Sequence, residues 1–164
     1  MKKTGLLLLG MILLGSVTFA GQRNTVLTRP LTEKIGVGFS IPFANLPVLA
    51  GRYWLTDIAA VECFLGFRID DNHNSNNIYT FGGKFLYVLK SYKNLNLFSA
   101  ASLALCSEGT TYSVIRTGLG IEWFVLEDLS LSTQADLSLR VGGGQTSLET
   151  SVESIPRIGI RYYL

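Results

Sequence analysis

The sequence predicts an all-β protein, a single eight-stranded antiparallel up-and-down barrel. Three observations lead there. Between residues 33 and 164, apolar and polar residues alternate with a period of two in eight separate stretches. The chain is 48% hydrophobic and only 16% charged, yet beyond its amino terminus no run approaches the roughly 18–20 apolar residues of a membrane helix. Glycine is frequent (17) and proline scarce (4), while Val, Ile, Tyr, Phe and Thr recur in the alternating stretches, as pleated strands favour.

The first stretch, 33–41, sets Ile35, Val37, Phe39 and Ile41 against Lys34, Gly36, Gly38 and Ser40. A loop at 42–47 leads to a second at 48–55, and Thr56-Asp57 reads as a tight turn. The third, 58–69, opposes Val61, Cys63, Leu65 and Phe67 to Glu62, Phe64, Gly66 and Arg68, and the polar run 70–77 follows as a loop. In the fourth, 78–90, Tyr79, Phe81, Phe85, Tyr87 and Leu89 face away from Thr80, Gly82, Lys84 and Lys90. A turn at 91–94 precedes the fifth, 95–106, and a loop at 107–111 precedes the sixth, 112–126, where Ile115, Leu119, Ile121 and Trp123 oppose Arg116, Gly118, Gly120 and Glu122. Glu127-Asp128 is a further tight turn. The seventh stretch, 129–141, alternates without a break, from Leu129 and Ser130 to Arg140 and Val141. Gly142-Gly143-Gly144 opens a last loop, 142–150, and the eighth strand occupies 151–164. Tight turns thus alternate with longer polar loops, and an even strand count puts both ends of the barrel chain on one side.

The amino terminus reads as a secretory signal peptide. Lys2 and Lys3 form a basic start, residues 6–14 an apolar run broken by Gly10, and Thr18-Phe19-Ala20 a small-residue cleavage site. The expected division is therefore 1–20 signal peptide, cleaved after Ala20 on Sec-dependent export, 21–32 a short leader without periodicity, and 33–164 the barrel. Without Lys2 and Lys3, the 14 basic residues fall to 12, against 12 acidic ones. A chain of zero formal charge gives no reason to expect a nucleic-acid partner.

Alternation defines two faces without saying which points outward. A soluble, lipocalin-like carrier would keep its apolar face inside. Three features favour the reverse, a transmembrane barrel. The glycines at 36, 38, 66, 82, 118, 120 and 159 lie on the polar face, as a cramped eight-stranded lumen requires. The apolar face carries more bulk than so narrow an interior holds. Its aromatics also fall near the strand ends: Tyr53, Tyr87, Trp123 and Tyr162 on the turn side, and Phe39, Phe67 and Tyr79 on the loop side. Two aromatic belts suit two lipid interfaces.

The final residues carry a resemblance. Arg157, Gly159, Tyr162 and Leu164 match the pattern polar-x-Gly-x-x-aromatic-x-apolar, which resembles the carboxy-terminal insertion signal of Gram-negative outer-membrane barrels; those chains usually end in Phe. Arg52-Tyr53-Trp54-Leu55-Thr56-Asp57 is similar to a turn common after the second strand of the same proteins. The region 33–164 resembles the small OmpA- and OmpX-type barrels. That resemblance implies a cell outer-membrane location, with periplasmic turns and extracellular loops. It further implies outer-membrane lipid and lipopolysaccharide as surroundings, and the barrel-assembly machinery as a partner of the last strand. It implies no activity.

With the polar face inside, the lumen would hold Lys34, Arg52, Glu62, Arg68, Lys84, Arg116, Glu122, Asp136, Arg140, Arg157 and Arg161. Buried ions are costly unless paired, so Glu62, Glu122 and Asp136 are expected to be bracketed by bases in one connected network. That network would plug the barrel; a narrow pore is the alternative. Enzymatic chemistry has one candidate. The only histidine, in His73-Asn74-Ser75-Asn76, resembles the His-x-Ser-Asn motif of outer-membrane lipid A deacylases, but no acid lies nearby downstream to orient His73. Solvated loop residues are the expected reading, and the protein is expected not to be an enzyme. Cys63 and Cys106 have opposite parity, which argues against a disulfide. Neither a cofactor site nor metal-ligand spacing stands out.

Overall fold

The computed structural model describes residues 30–41, 47–68, 77–143, 145–150 and 157–164. Strands are β1 Ile35–Ile41, β2 Val48–Thr56, β3 Ala59–Arg68, β4 Ile78–Tyr92, β5 Leu95–Glu108, β6 Thr110–Phe124, β7 Leu129–Gly142, β8 Gln145–Thr150 and β9 Arg157–Tyr163. Each pairs antiparallel with its chain neighbour from β1 to β8, and β9 joins β7 to β1. β8 and β9 both lie along β7, one beyond the other, so the nine segments make eight staves of a closed barrel. Closure removes the unpaired edges an open sheet would expose. Hydrogen-bonded rows climb around the cylinder. Phe39, late in β1, shares a row with Ile160, Leu131, Trp123 and Leu95, the last two at the turn-side ends of β6 and β5. The strands are therefore tilted, as closure demands.

The two faces separate inside from outside without ambiguity. In β9 the odd residues Arg157, Gly159, Arg161 and Tyr163 are buried, while Ile158, Ile160 and Tyr162 are exposed. The same inversion runs round the barrel: Phe39, Leu65, Phe67, Phe81, Leu103 and Leu119 are exposed, and Arg52, Glu62, Glu122 and Arg161 are at most 2% exposed. Glycine makes room where rings fold inward. A Cβ on Gly36 would sit 2.6 Å from the Tyr163 ring, and one on Gly120 would sit 2.3 Å from the Phe98 ring.

Four expectations need correction. The segment 142–150 is not a loop: β7 and β8 form a hairpin in which Gly142 pairs with Gln145. Gly142 and Gly143 have φ of 121° and 65°, a region side chains avoid. Nor is 107–111 a loop, because Glu108 pairs with Thr110 across Gly109 (φ 69°). The eighth stave starts at Gln145 rather than at 151. Gln134 pairs with Arg157 and Leu137 with Thr150, so three steps along β7 span seven along the eighth stave. An even excess leaves the faces in phase, and Leu148 points outward like Ile158. Finally, a bulge between Val88 and Lys90 flips the end of β4, turning Lys90 and Tyr92 outward and Ser91 inward. Lys90 Nζ lies 4.7 Å over the Tyr92 ring.

The interior is not uniformly polar. Leu31, Trp54, Leu86, Val88, Phe98, Phe124 and Tyr163 pack together at the turn-side end. Leu31 belongs to the segment read as an external leader, yet it is only 1% exposed. Asp57 holds it there: its Oδ1 accepts from the Leu31 and Thr32 amides (2.8 and 3.0 Å) and from Thr32 Oγ1 (2.7 Å). Thr56 Oγ1 shapes the same turn by accepting from the Ala59 amide at 3.1 Å. The proposed signal peptide and residues 21–29 lie outside the described residues.

Candidate functional site

The lumen above the apolar end is built by inward-facing positions of β2, β3, β4, β6, β7 and β9. Arg52 on β2 stands opposite Glu62 on β3, which stands opposite Lys84 on β4, so register alone lines three charges in one row. The Arg52 Nη2 to Glu62 Oε2 distance is 2.8 Å, and Lys84 Nζ lies 2.6 Å from Glu62 Oε1. Across the barrel, Arg161 Nη2 reaches Glu62 Oε2 at 2.9 Å, while Arg52 Nη1 reaches Glu122 at 2.9 Å. Two hydroxyls complete the shell of Glu122: Ser130 Oγ donates at 2.7 Å and Tyr163 Oη at 2.8 Å. Arg161 Nη1 also donates to Ser132 Oγ at 2.8 Å. Multiple charge-assisted hydrogen bonds are what make such burial tolerable.

A second group lies nearer the loop side. Arg157 Nε is 2.9 Å from Asp136 Oδ2, and Gln134 Nε2 donates to Asp136 Oδ1. The ion pairs of the described residues thus gather around Glu62 and Glu122 on one level and around Asp136 on another. Three expected members stand apart. Lys34 precedes β1 and pairs at the turn-side rim with Asp128, at 3.5 Å. Arg68 is exposed at the loop-side end of β3. Arg140 places its guanidinium 3.5 Å over the Tyr112 ring. Arg116 is half-buried and lines a cavity of about 100 Å³ on the loop side of the clusters. Tyr163, Ser130, Ser132 and Gln134 belong to the buried clusters although only charged residues were singled out from the sequence. Their parity, shared with Arg161 and Asp136, was the available signal.

Outside, Phe39, Tyr53, Phe67, Tyr79, Trp123 and Tyr162 are all exposed, and Tyr87 is half-buried on the same face. Tyr92, Phe81 and Phe85 add to them. Of the terminal motif, Tyr162 and Leu164 face out and Arg157 and Gly159 face in. Cys63 is exposed and Cys106 buried, both as free thiols. His73 and Ser75 lie outside the described residues. Among the described residues, no group of three or more His, Cys, Asp or Glu is placed to hold a metal ion.

This geometry has solved counterparts. The chain is similar to the N-terminal β-barrel domain of Pseudomonas aeruginosa OprF, with a TM-score of 0.58 and 15% identity over 83% of this chain and 100% of that one. Two further structures align more loosely. Neisserial surface protein A (NspA) gives a TM-score of 0.49 at 12% identity over 79% and 92% of the two chains. A de novo designed transmembrane β-barrel gives 0.47 at 19% identity over 84% and 98%. The fold is a closed eight-stranded antiparallel β-barrel, like that of the OprF domain. No family model matches the sequence, and no curated protein is similar to it.

Proposed function

We propose that the protein is an integral outer-membrane barrel with a structural or surface-interaction role, its lumen closed by buried ion clusters. One observation carries this reading: the inversion of the barrel. Large apolar side chains cover the outside, Phe67 being 62% exposed and Leu119 57%, while Arg52 and Glu122 are each 1% exposed inside. In water that arrangement would expose far more apolar surface than a monomer tolerates; in a bilayer it is the stable one. Residues 1–20 would direct export. The aromatics near the strand ends would sit at the lipid interfaces, against outer-membrane lipid and lipopolysaccharide. The last strand would present Arg157, Gly159, Tyr162 and Leu164 to the barrel-assembly machinery.

Cys63 offers a direct test. It faces outward between Gly51 and Gly83 on the neighbouring strands. In membranes, a membrane-permeant apolar maleimide should label it and a charged, water-soluble one should not. Equal labelling by both reagents in intact membranes would place this face in water. Heat-dependent gel mobility of the membrane fraction gives an independent readout of the folded barrel. Closure of the lumen predicts no steady single-channel conductance from the reconstituted protein. Expression should also leave the lipid A mass spectrum unchanged, whereas a hydrolase using His73 and Ser75 would remove an acyl chain, and Ser75→Ala would restore it.

A further inference from the structure

Among the described residues, the outward positions of the strands carry apolar, aromatic, small or hydroxyl side chains, with one exception, Lys90. It owes its place to the bulge in β4. Two steps from Val88 to Lys90 oppose a single step from Phe98 to Leu97, so Leu89 is the extra residue and the alternation inverts beyond it. Unbroken alternation would have kept Lys90 on the inner face with Lys84 and Val88. No carboxylate neutralises it: among the described residues Nζ makes no ion pair and lies 4.7 Å over the Tyr92 ring. Residues 1–29, which join the turn side of the barrel, contain no Asp or Glu. The acids whose side chains are not described lie elsewhere along the chain. Asp70 and Asp71 follow the loop-side end of β3, whereas Lys90 is near the turn-side end of β4. Glu149 and Glu153 come from β8 and the segment joining it to β9, across the barrel from β4.

Register supplies the surroundings. Tyr92, Leu95 and Trp123 share one outward row on β4, β5 and β6, and Lys90, Leu97 and Ile121 share the next. Tyr92 and Trp123 are exposed, while Leu95 and Leu97 between them are half-buried, a low floor between two rings. An unpaired ammonium is costly in hydrocarbon, but the four-carbon stem lets Nζ reach the headgroup level, where Tyr92 marks the interface. There an ammonium is a point charge for a phosphate. We propose that Lys90, Tyr92 and the Leu95 and Leu97 floor hold an anionic phospholipid of the turn-side leaflet. Its phosphate lies on Nζ and one acyl chain runs between Tyr92 and Trp123. This inference rests on the membrane reading above. A net-negative headgroup is selected over a zwitterionic one, because the zwitterion brings its own cation against Lys90.

Trp123 reports the lipid on this patch, since it stands two strand spacings from Lys90, roughly 10 Å. The protein is reconstituted in vesicles of phosphatidylcholine and phosphatidylglycerol, with one or the other brominated on its acyl chains, and tryptophan quenching is compared at equal mole fraction. Trp54 is buried inside the barrel, and Trp123→Phe gives its background. Phosphatidylglycerol should occupy the patch about fivefold more strongly than phosphatidylcholine, the effect of one lysine at an anionic lipid. Lys90→Gln should bring the two lipids to equality and Lys90→Arg should keep the preference. Lys34→Gln, which removes a rim cation outside the patch, should leave it unchanged. Equal quenching in wild type would mean that Lys90 merely reaches water, and overturns the proposal. An undiminished preference in Lys90→Gln overturns it too, as does an equal fall in Lys34→Gln, the sign of diffuse rim charge. Heat-dependent mobility verifies that each variant folds, and Lys90→Met takes the place of Lys90→Gln if the latter does not. Absence of quenching by either brominated lipid would instead sink the membrane reading itself, so the two failures are distinguishable.

Discussion

The two ends of the lumen are lined by the same kind of strands and filled in opposite ways. At the turn side, Leu31, Trp54, Phe98 and Phe124 pack into an apolar stopper. At the loop side, Val48, Phe64 and Ile78 face arginines across open space. Side-chain volume at inward positions, set against glycine on the neighbouring stave, decides which end is solid. Between them, the Glu62 and Glu122 cluster is the boundary, and removing it should have the largest effect. Glu122→Ala leaves Arg52, Arg161 and the hydroxyls of Ser130 and Tyr163 facing an empty site. A loss of about 3–5 kcal/mol is expected, read as a lower urea midpoint in lipid or detergent.

Next comes the stopper itself. Phe98→Ala should cost about 3 kcal/mol in the same assay, because the ring packs against a rigid barrel wall that cannot collapse around the void. A matched pair sharpens the contrast between the ends. Val88 in the stopper and Val48 on the wall of the loop-side cavity are 3% and 2% exposed. Val88→Ala should cost about 2 kcal/mol and Val48→Ala about 1, since the latter only enlarges a cavity already present. Equal losses would mean that the cavity is filled as tightly as the stopper. The smallest effect belongs to the latch. Asp57→Asn should cost about 1 kcal/mol. Thr32, through its hydroxyl and amide, holds the Asp57 carboxyl below its ordinary value of 3.8. A depressed acid stabilises the fold above that value and loses its contribution as pH falls through the folded pKa. The stability gap between wild type and Asp57→Asn should therefore close below about pH 4.

Parity made most of this legible before any coordinates. Alternation in 129–141 separates Asp136 from Leu137 and Leu139 without further information, and the end of β9 does the same for Arg161 and Tyr162. What parity lacks is height. Strand tilt decides that Arg157 meets Asp136, while Arg140 meets Tyr112, and no local pattern encodes that angle. A bulge is likewise invisible to a period of two, so Lys90 was assigned to the wrong face. Gln145-Thr146-Ser147-Leu148-Glu149-Thr150 pairs as a strand on backbone bonds with a single large apolar residue, and its composition reads as loop. Leu31 was missed for a related reason. One leucine in a polar leader has no periodicity, and its place inside follows from Asp57, a residue 26 positions away.

The seam between β1 and β9 has a consequence for how the molecule comes into being. Its partners, such as Val37 and Tyr162, stand more than a hundred residues apart in the chain, so every other hairpin can zip while this join stays undone. Until it is made, a half-built ring keeps two raw edges and a greasy outer skin, the very surfaces on which unfinished chains clump. Escort of the nascent polypeptide, and a sheltered place to curl up, are thus demands written into the wiring of the sheet itself.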